Sequence, residues 1–234
     1  MGRTLRESTA LVYGAGALGG AACLVLASAG LGRLVVVDQG AVEPADLSGQ
    51  PLFGDADLGR RWVEATADRL GVLFPGLRVE ARDERPEAAL DPALLAGAGV
   101  VADCTGRFSA MFPVNDAAVA AGRPLVHASA VGLTAHLLTV VPGSTGCLRC
   151  LFEGPPPPGA VPGPAQAGLF GPLAAFAGAL AGREALRLLA GEPPALAGRL
   201  LAYEARSARS RSLPVNRRPG CAGCAAAAPP GGSP

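Results

Sequence analysis

Lysine is absent from this chain of 234 residues, and all 20 basic residues are arginine. A mechanism that needs a lysine ammonium therefore cannot operate from this chain alone. Charge is scarce as well, since charged residues make up 17% of the chain and the formal net charge is +1. Such a balance creates no overall field that would attract nucleic acid or an anionic membrane, so we expect neither as a partner.

The sequence shows neither a leader peptide nor a membrane span. Leu11–Tyr13 follows Met1 closely, without the apolar core of roughly 7–15 residues and the cleavage site of a signal peptide. The longest apolar run, Leu169–Leu189, is interrupted by Arg183 and Glu184 and falls short of the ~18 apolar residues of a span. We therefore expect a cytoplasmic protein, in which six cysteines favour metal ligands or packed thiols over disulfides.

Strand and helix patterns alternate along the chain, which predicts an α/β fold with a Rossmann-like mixed sheet and helices on both faces. The apolar runs do not alternate with polar residues, as in parallel strands that are buried on both faces. The predicted strands are Ala10–Tyr13, Leu34–Val37, Leu77–Ala81, Gly99–Cys104, Pro124–Val126, Leu133–Val141 and Leu200–Glu204. The predicted helices are Ala17–Ala29, Leu58–Leu73, Ala88–Ala96, Ser109–Ala121 and Leu173–Ala190.

We predict a single domain over residues 1–224. Residues 153–172 are rich in Gly, Pro and Ala, so they are predicted to form a flexible crossing loop. Residues 225–234 are of low complexity and are predicted to be a disordered tail.

A glycine loop follows the first predicted strand. Gly14, Gly16 and Gly19 have the GxGxxG spacing that lets backbone approach a phosphate, and the next helix points free N–H groups at the anion. Asp38 ends the second strand at about the usual spacing of ~20 residues, where a carboxylate can hold ribose hydroxyls. A glycine turn without a ligand is the alternative. The motif favours a nucleotide but does not choose among NAD, FAD and ATP.

Two CxxC pairs, Cys147/Cys150 and Cys221/Cys224, predict a structural zinc site. Each pair presents two thiolates to one ion, and two pairs complete a tetrahedral Zn²⁺ site. The gap between the pairs exceeds the roughly 15–20 residues of a compact zinc ribbon, so the metal would fix the C-terminal part to the start of the crossing loop. A redox CxxC or surface thiols are the alternatives. Cys23 and Cys104 are predicted to be core residues.

These features together resemble the ThiF/MoeB/HesA family, the bacterial relatives of the ubiquitin-activating enzymes, from about Leu11 to Cys224. The stretches that carry the resemblance are VYGAGALGGAACLVLASAGLGRLVVVD, DLSGQPLF, DLGRRWVEATADRL, VVADCTGR, VNDAAVAAGRPLVHASA, VVPGSTGCLRC, ALAGREALRLLAG and LLAYEARS…RRPGCAGC.

The resemblance implies an activity. Members bind Mg–ATP, adenylate the C-terminal glycine of a small ubiquitin-like carrier protein and release pyrophosphate, and they usually work as homodimers. A carrier protein or peptide and a second copy are therefore the expected partners. The family's adenylation segment, Asn-x-x-Arg-Gln, aligns with Asp46–Gln50, which makes Asp46 and Gln50 candidate nucleotide contacts beside the glycine loop.

The chain departs from the family at the charged positions of that site. The family's phosphate-binding Arg, its Lys, its Mg²⁺-binding Asp and a further Arg align with uncharged residues, whereas its Asn is kept as Asn115. The replacing residues are Gly49, Trp62, Gly106 and Met111. Substitutes for the lost groups could come from nearby charged residues, namely Arg60, Arg61, Arg107 and Asp103. Trp62 either fills the space of the missing Lys or packs on its helix.

Two functions follow from these departures. The site chemistry favours a nucleotide-binding protein with weakened or lost adenylation that serves as a binding partner for a carrier protein or peptide, because losing one such charge costs a factor of ~10²–10³ in rate. The alternative is an active adenylyltransferase for a ubiquitin-like sulfur carrier. An NAD-dependent oxidoreductase would leave the paired cysteines unexplained. His127 and His136 are predicted to be core or surface residues rather than catalysts.

Overall fold

The computed structural model describes residues 4–157, 160–161 and 164–224 of the chain. The strands are β1 Thr9–Tyr13, β2 Arg33–Asp38, β3 Arg78–Asp83, β4 Val100–Asp103, β5 Leu125–Val131, β6 Thr134–Val140, β7 Arg199–Glu204 and β8 Arg209–Pro214. The helices are α1 Ala17–Ser28, α2 Trp62–Leu73, α3 Pro92–Gly97, α4 Phe108–Ala120, α5 Leu148–Leu151, α6 Pro164–Ala167 and α7 Gly171–Leu189. Short 3₁₀ turns cover Leu5–Glu7, Asp46–Ser48 and Asp55–Asp57.

All eight strands form one sheet in the order β3-β2-β1-β4-β5-β6-β7-β8. The first five in this order are parallel, and β6, β7 and β8 extend the sheet in antiparallel fashion. The strand order reverses between β1 and β4, and ligands of open α/β sheets bind at such a point, beyond the carboxyl ends of the strands. The predicted Rossmann-like mixed sheet is confirmed, and the glycine loop lies at this point.

Each face of the sheet carries its own apolar core. One core joins α1, α2 and α7 to the sheet, and the other joins α3, α4 and the cysteine pairs to the opposite face. Helices α1 and α7 approach closely through glycine, because a Cβ on Gly178 would lie 2.1 Å from the Leu18 carbonyl oxygen. This close packing fixes the helix that follows the glycine loop.

Several predicted helix boundaries were wrong for local reasons. Helix α2 begins at Trp62 rather than Leu58, because residues 59–62 bond instead to the loop at residues 40–42: Gly59 N–H donates to Val42 O, and Trp62 N–H to Gly40 O. Helix α3 begins at Pro92, where Asp91 caps it by accepting the Ala93 N–H.

The C-terminal part of the sheet also differs from the prediction. Strand β8 was missed, and α7 begins at Gly171 instead of Leu173. Within the predicted crossing loop, the structure describes α6 and an isolated bridge between Gly132 and Leu169, and its flexibility stays a prediction. The predicted tail, residues 225–234, lies outside the described residues. In the part of the chain that the structure describes, the helices lack the length and apolarity for a membrane span.

Candidate nucleotide site and metal centre

The glycine loop is built by two contacts that exclude side chains. Gly14 has a φ of +99°, and a Cβ there would lie 2.6 Å from the Cys104 carbonyl oxygen, in the loop after β4. A Cβ on Gly19 would lie 1.8 Å from the Gly14 carbonyl oxygen, where α1 passes over the loop. Both positions therefore require glycine, and the loop leads directly into the amino end of α1, where unpaired N–H groups can bind an anion.

Asp38 anchors this loop from the end of β2. It is 3% exposed, and its carboxylate accepts the N–H groups of Ala15 at 2.9 Å, Gln39 at 2.7 Å and Gly40 at 3.0 Å. A carboxylate has about four lone-pair sites, so one remains for a ligand hydroxyl. The position of Asp38 fits the ribose contact expected from the sequence. Its hydrogen bond to Ala15 also holds the glycine loop in place.

Gln50 holds the same loop from the other side. Its side-chain amide donates to the carbonyl oxygens of Ala15 at 2.9 Å and Gly16 at 2.8 Å, and its Oε1 accepts the Leu52 N–H at 3.1 Å. Gln50 is 3% exposed. The segment that resembles the family's adenylation segment is thus hydrogen-bonded directly to the glycine loop.

Trp62 lies over the glycine loop. A Cβ on Gly16 would lie 3.3 Å from Cζ3 of the indole, and one on Gly40 would lie 2.5 Å from Cε3. The indole Nε1 donates to Asp46 Oδ2 at 3.3 Å, and the same oxygen accepts the Glu43 N–H. The indole therefore spans the gap between the loop after β1 and the loop after β2.

Asp103, the last residue of β4, and His127, the third residue of β5, form a buried pair between these adjacent strands. His127 Nδ1 lies 2.8 Å from Asp103 Oδ2, and the side chains are 4% and 0% exposed. Asp103 Oδ1 accepts both the backbone N–H and the hydroxyl of Thr105. Asp103 was predicted as a substitute carboxylate, but both of its oxygens are engaged. His127 was not predicted as part of the site. It lies opposite Asp103 in the register of the parallel strands β4 and β5.

The three candidate arginines differ in whether they form ion pairs with acidic side chains. Arg60 pairs with Asp57 and Asp68, and Arg61 pairs with Asp83. Arg107 is exposed at the amino end of α4 and forms no ion pair with the described residues. Of the three, Arg107 is therefore the cation that could bind a phosphate without breaking an ion pair with the described residues.

The four cysteines meet on the face that carries α4. Their sulfur atoms all lie within 4.8 Å of one another, with 3.8 Å between Cys147 and Cys221 and 3.5 Å between Cys150 and Cys224. All are buried except Cys150, which is half-buried. The four-sulfur donor set and its spacing fit a zinc ion, as predicted from the two CxxC pairs.

Local contacts favour the thiolate of Cys150. Burial acts to raise its pKa, but N–H groups, above all that of Arg218, outweigh burial and lower the pKa of Cys150 to about 7. Burial raises the pKa of the Cys147 thiol. Metal binding here would release protons, because zinc takes thiolates.

Asn115 connects the cysteine cluster to α4. It is fully buried, and its Oδ1 accepts the Leu148 N–H at 3.0 Å, at the first residue of α5. Beside it, Arg149 pairs with Asp116. The remaining thiols, Cys23 and Cys104, are buried and separate from the cluster; burial raises the pKa of Cys23 to about 12.

Residues 2–223 match the model of the ThiF family. The chain belongs to that family. The sulfur carrier protein adenylyltransferase of Thermus thermophilus is 40% identical over 227 residues, which cover 94% of this chain and 83% of that protein. The ThiS adenylyltransferase of Escherichia coli is 36% identical, with coverage of 94% and 87%. The SAMP-activating enzyme E1 of Haloferax volcanii is 37% identical, with coverage of 94% and 81%.

The ThiF fold is also seen in solved structures. Escherichia coli MccB, crystallised with ATP, superposes with a TM-score of 0.81 at 21% identity, covering 94% of this chain and 68% of MccB. At this identity the likeness shows the fold alone.

Besides Trp62, three other residues stand at positions where the family is expected to carry charge, and each has a different environment. Gly49 contacts the start of α7, since its Cβ would lie 3.1 Å from Gly171 Cα. Gly106 has a φ of +63°, and a Cβ there would meet only Leu18, at 3.9 Å. Met111 is 5% exposed in the core under α4. The relatives are named as adenylyltransferases, which favours the active alternative over the weakened activity predicted from these replacements.

Proposed function

We propose that this chain is an ATP-dependent adenylyltransferase that activates the C-terminal carboxylate of a small ubiquitin-like sulfur carrier protein or peptide. The observation that carries the proposal is the glycine loop at the reversal between β1 and β4, closed by Asp38 on one side and Gln50 on the other. Sequence identity of 36–40% to relatives named as carrier adenylyltransferases supports the same activity.

The reaction requires an anion site rather than a general base. A carboxylate oxygen of the carrier bonds to the α-phosphorus of ATP, and the bond from that phosphorus to the bridging oxygen breaks. The electron pair leaves with pyrophosphate, so the residues must orient the phosphates and stabilise their charge. The Gly14–Gly19 loop and the amino end of α1 would receive the phosphates, and Asp38 would hold the ribose.

We assign the cation role to Arg107. It lies in the loop between β4 and α4, beyond the carboxyl end of the strand next to the glycine loop, and it has no competing ion pair among the described residues. For Mg²⁺, Asp46 is the better candidate of the two acids, because its Oδ1 accepts no hydrogen bond from the described residues, whereas Asp103 is fully engaged. Bound Mg²⁺ would neutralise part of the phosphate charge.

The metal centre is proposed to be structural zinc held by Cys147, Cys150, Cys221 and Cys224. It would join the C-terminal residues to α5 and, through Asn115, to α4. A homodimer, expected from the resemblance, is also proposed, and analytical ultracentrifugation measures it directly.

The activity is tested by ATP–pyrophosphate exchange with purified chain and ubiquitin-like carrier proteins that end in Gly-Gly. Exchange should appear with an intact carrier and vanish with a carrier that lacks its last two residues. Arg107→Ala should lower the exchange rate, by a factor on the order of 10². Arg78→Ala, at the amino end of β3, is the matched control and should leave the rate unchanged. An equal exchange rate with the intact and the truncated carrier would overturn the proposal.

A second candidate function rests on the replaced charges. The resemblance implies two arginines, a lysine and a carboxylate at the positions of Gly49, Met111, Trp62 and Gly106, and the chain has no lysine. The chain would then bind nucleotide and a carrier or peptide while adenylating weakly. Nucleotide binding together with carrier binding but background exchange would favour this function.

A further inference from the structure

The indole of Trp62 lies against the glycine loop beside Gly16, at the amino end of α1. Its Cζ3 atom lies 3.3 Å from the position of a Cβ on Gly16, and Gly16 immediately precedes the first residue of α1. The first turn of α1, which begins at the next residue, has backbone N–H groups without helical partners. A phosphate oxygen must come within about 3 Å of such an N–H group, so indole and phosphate compete for one space.

Two contacts keep the indole in this place. Nε1 donates to Asp46, and the ring packs against the apolar core that contains α1 and α7. Gly40 has no side chain, which admits the ring, since a Cβ there would lie 2.5 Å from Cε3. The indole is half-buried, so it can leave through solvent without opening the core.

We propose that Trp62 is a displaceable cover over the glycine loop, which must swing away from Gly16 before ATP can place its phosphates there. The proposal rests on the nucleotide site of the proposed function and adds to it a residue that controls access to the glycine loop. Since only the fraction of molecules with the cover displaced can bind, the apparent affinity for ATP is reduced by that fraction. The hydrogen bond to Asp46 couples the cover to the segment that also supplies Gln50.

The test uses the fact that Trp62 is the only tryptophan of the chain. In the wild-type protein, titration with Mg–ATP should shift the tryptophan emission to longer wavelength, because the indole moves from Gly16 into water. Calorimetry should show that Trp62→Ala binds ATP about tenfold more tightly, since no displacement is needed. Trp62→Lys should bind at least as tightly, because it removes the ring and adds a cation. Trp62→Phe keeps an aromatic cover and should lie between wild type and Trp62→Ala.

Each outcome bears on the proposal. Weaker ATP binding by Trp62→Ala, with circular dichroism and zinc content unchanged, would show that the indole stacks on the nucleotide and would overturn the cover. Binding of ATP to wild type without a change in emission would overturn it as well, as would the absence of ATP binding in all four proteins. If the emission shifts and Trp62→Ala binds more tightly but carrier-dependent exchange is missing, the cover stands and the proposed adenylation fails.

Discussion

Gly19 meets the carbonyl oxygen of Gly14 so closely that a Cβ on Gly19 would lie 1.8 Å from it. At this contact, backbone packs directly on backbone and leaves no room for a side chain. This contact, and not the sequence spacing itself, brings the amino end of α1 to the carboxyl end of β1.

Gly19→Ala should disrupt the turn and abolish nucleotide binding, because the methyl group would have to displace backbone. Gly16→Val should abolish binding too, by placing a side chain in the phosphate path and against the Trp62 ring. Equilibrium dialysis with ATP measures the effect. Gly76→Ala is the control, since it meets nothing within 4 Å and should bind as wild type does. Unchanged affinity in Gly16→Val would place the nucleotide elsewhere.

Gln50→Glu should weaken ATP binding, because it replaces two N–H donors by a carboxylate that faces the carbonyl oxygens of Ala15 and Gly16. A buried unsatisfied group costs about 1–3 kcal/mol, so thermal unfolding should occur at a lower temperature as well. Gln39→Glu makes the same change of charge at an exposed position beside the site and serves as the control. Equal losses in both variants would mean that charge alone, and not the held loop, explains the effect.

Purified protein should contain about one zinc ion per chain, as four thiolates form one tetrahedral site. Cys221→Ser should lose most of the metal and lower the unfolding temperature, whereas Cys23→Ala, in a buried thiol away from the cluster, should keep it. Retention should weaken as the pH falls, because protons compete with zinc for the four thiolates. Elemental analysis measures the zinc content of the wild-type protein and of both variants, and thermal denaturation measures the unfolding temperature. Less than about a tenth of an equivalent in zinc-supplied wild-type protein would refute the site.

Restoring the charged positions should raise the rate of carrier-dependent exchange. The triple variant Gly49→Arg, Trp62→Lys and Gly106→Asp should gain more than any single change, because such groups act as a unit. A side chain at Gly106 has space but a strained backbone, since its φ is +63°, while Gly49 touches Gly171. The double variant without Gly49→Arg therefore shows whether α7 must shift. A wild-type rate that none of these variants improves would mean that Arg107 already supplies the charge.

The sequence sufficed to predict the nucleotide half of the fold because its signals are local. The glycine spacing, the buried strands and Asp38 lie within one continuous stretch. The two CxxC pairs directly identify the four cysteines that could bind a metal. Strand β8 could not be found this way, because Arg209–Pro214 is exposed along its whole length and lacks an apolar pattern. It is a strand because β7 offers it an unpaired edge.

Side-chain contacts between residues far apart in the sequence could not be predicted either. His127 looked like an ordinary core residue, and its contact with Asp103 arises only from the order of β4 and β5 in the sheet. Likewise, Gln50 was a candidate for contacting the nucleotide, whereas its amide is committed to the glycine loop. Such roles depend on which loops the folded sheet brings side by side.

The arrangement of β7 has a consequence for a cleaved chain. This strand hydrogen-bonds to β6 on one side and β8 on the other, while α7 lies against α1 and the second cysteine pair returns to the first. A protease that cut once between α5 and α7 would therefore release no fragment. The two pieces would stay together as a non-covalent complex, and only denaturation, with a chelator if zinc is bound, would separate them.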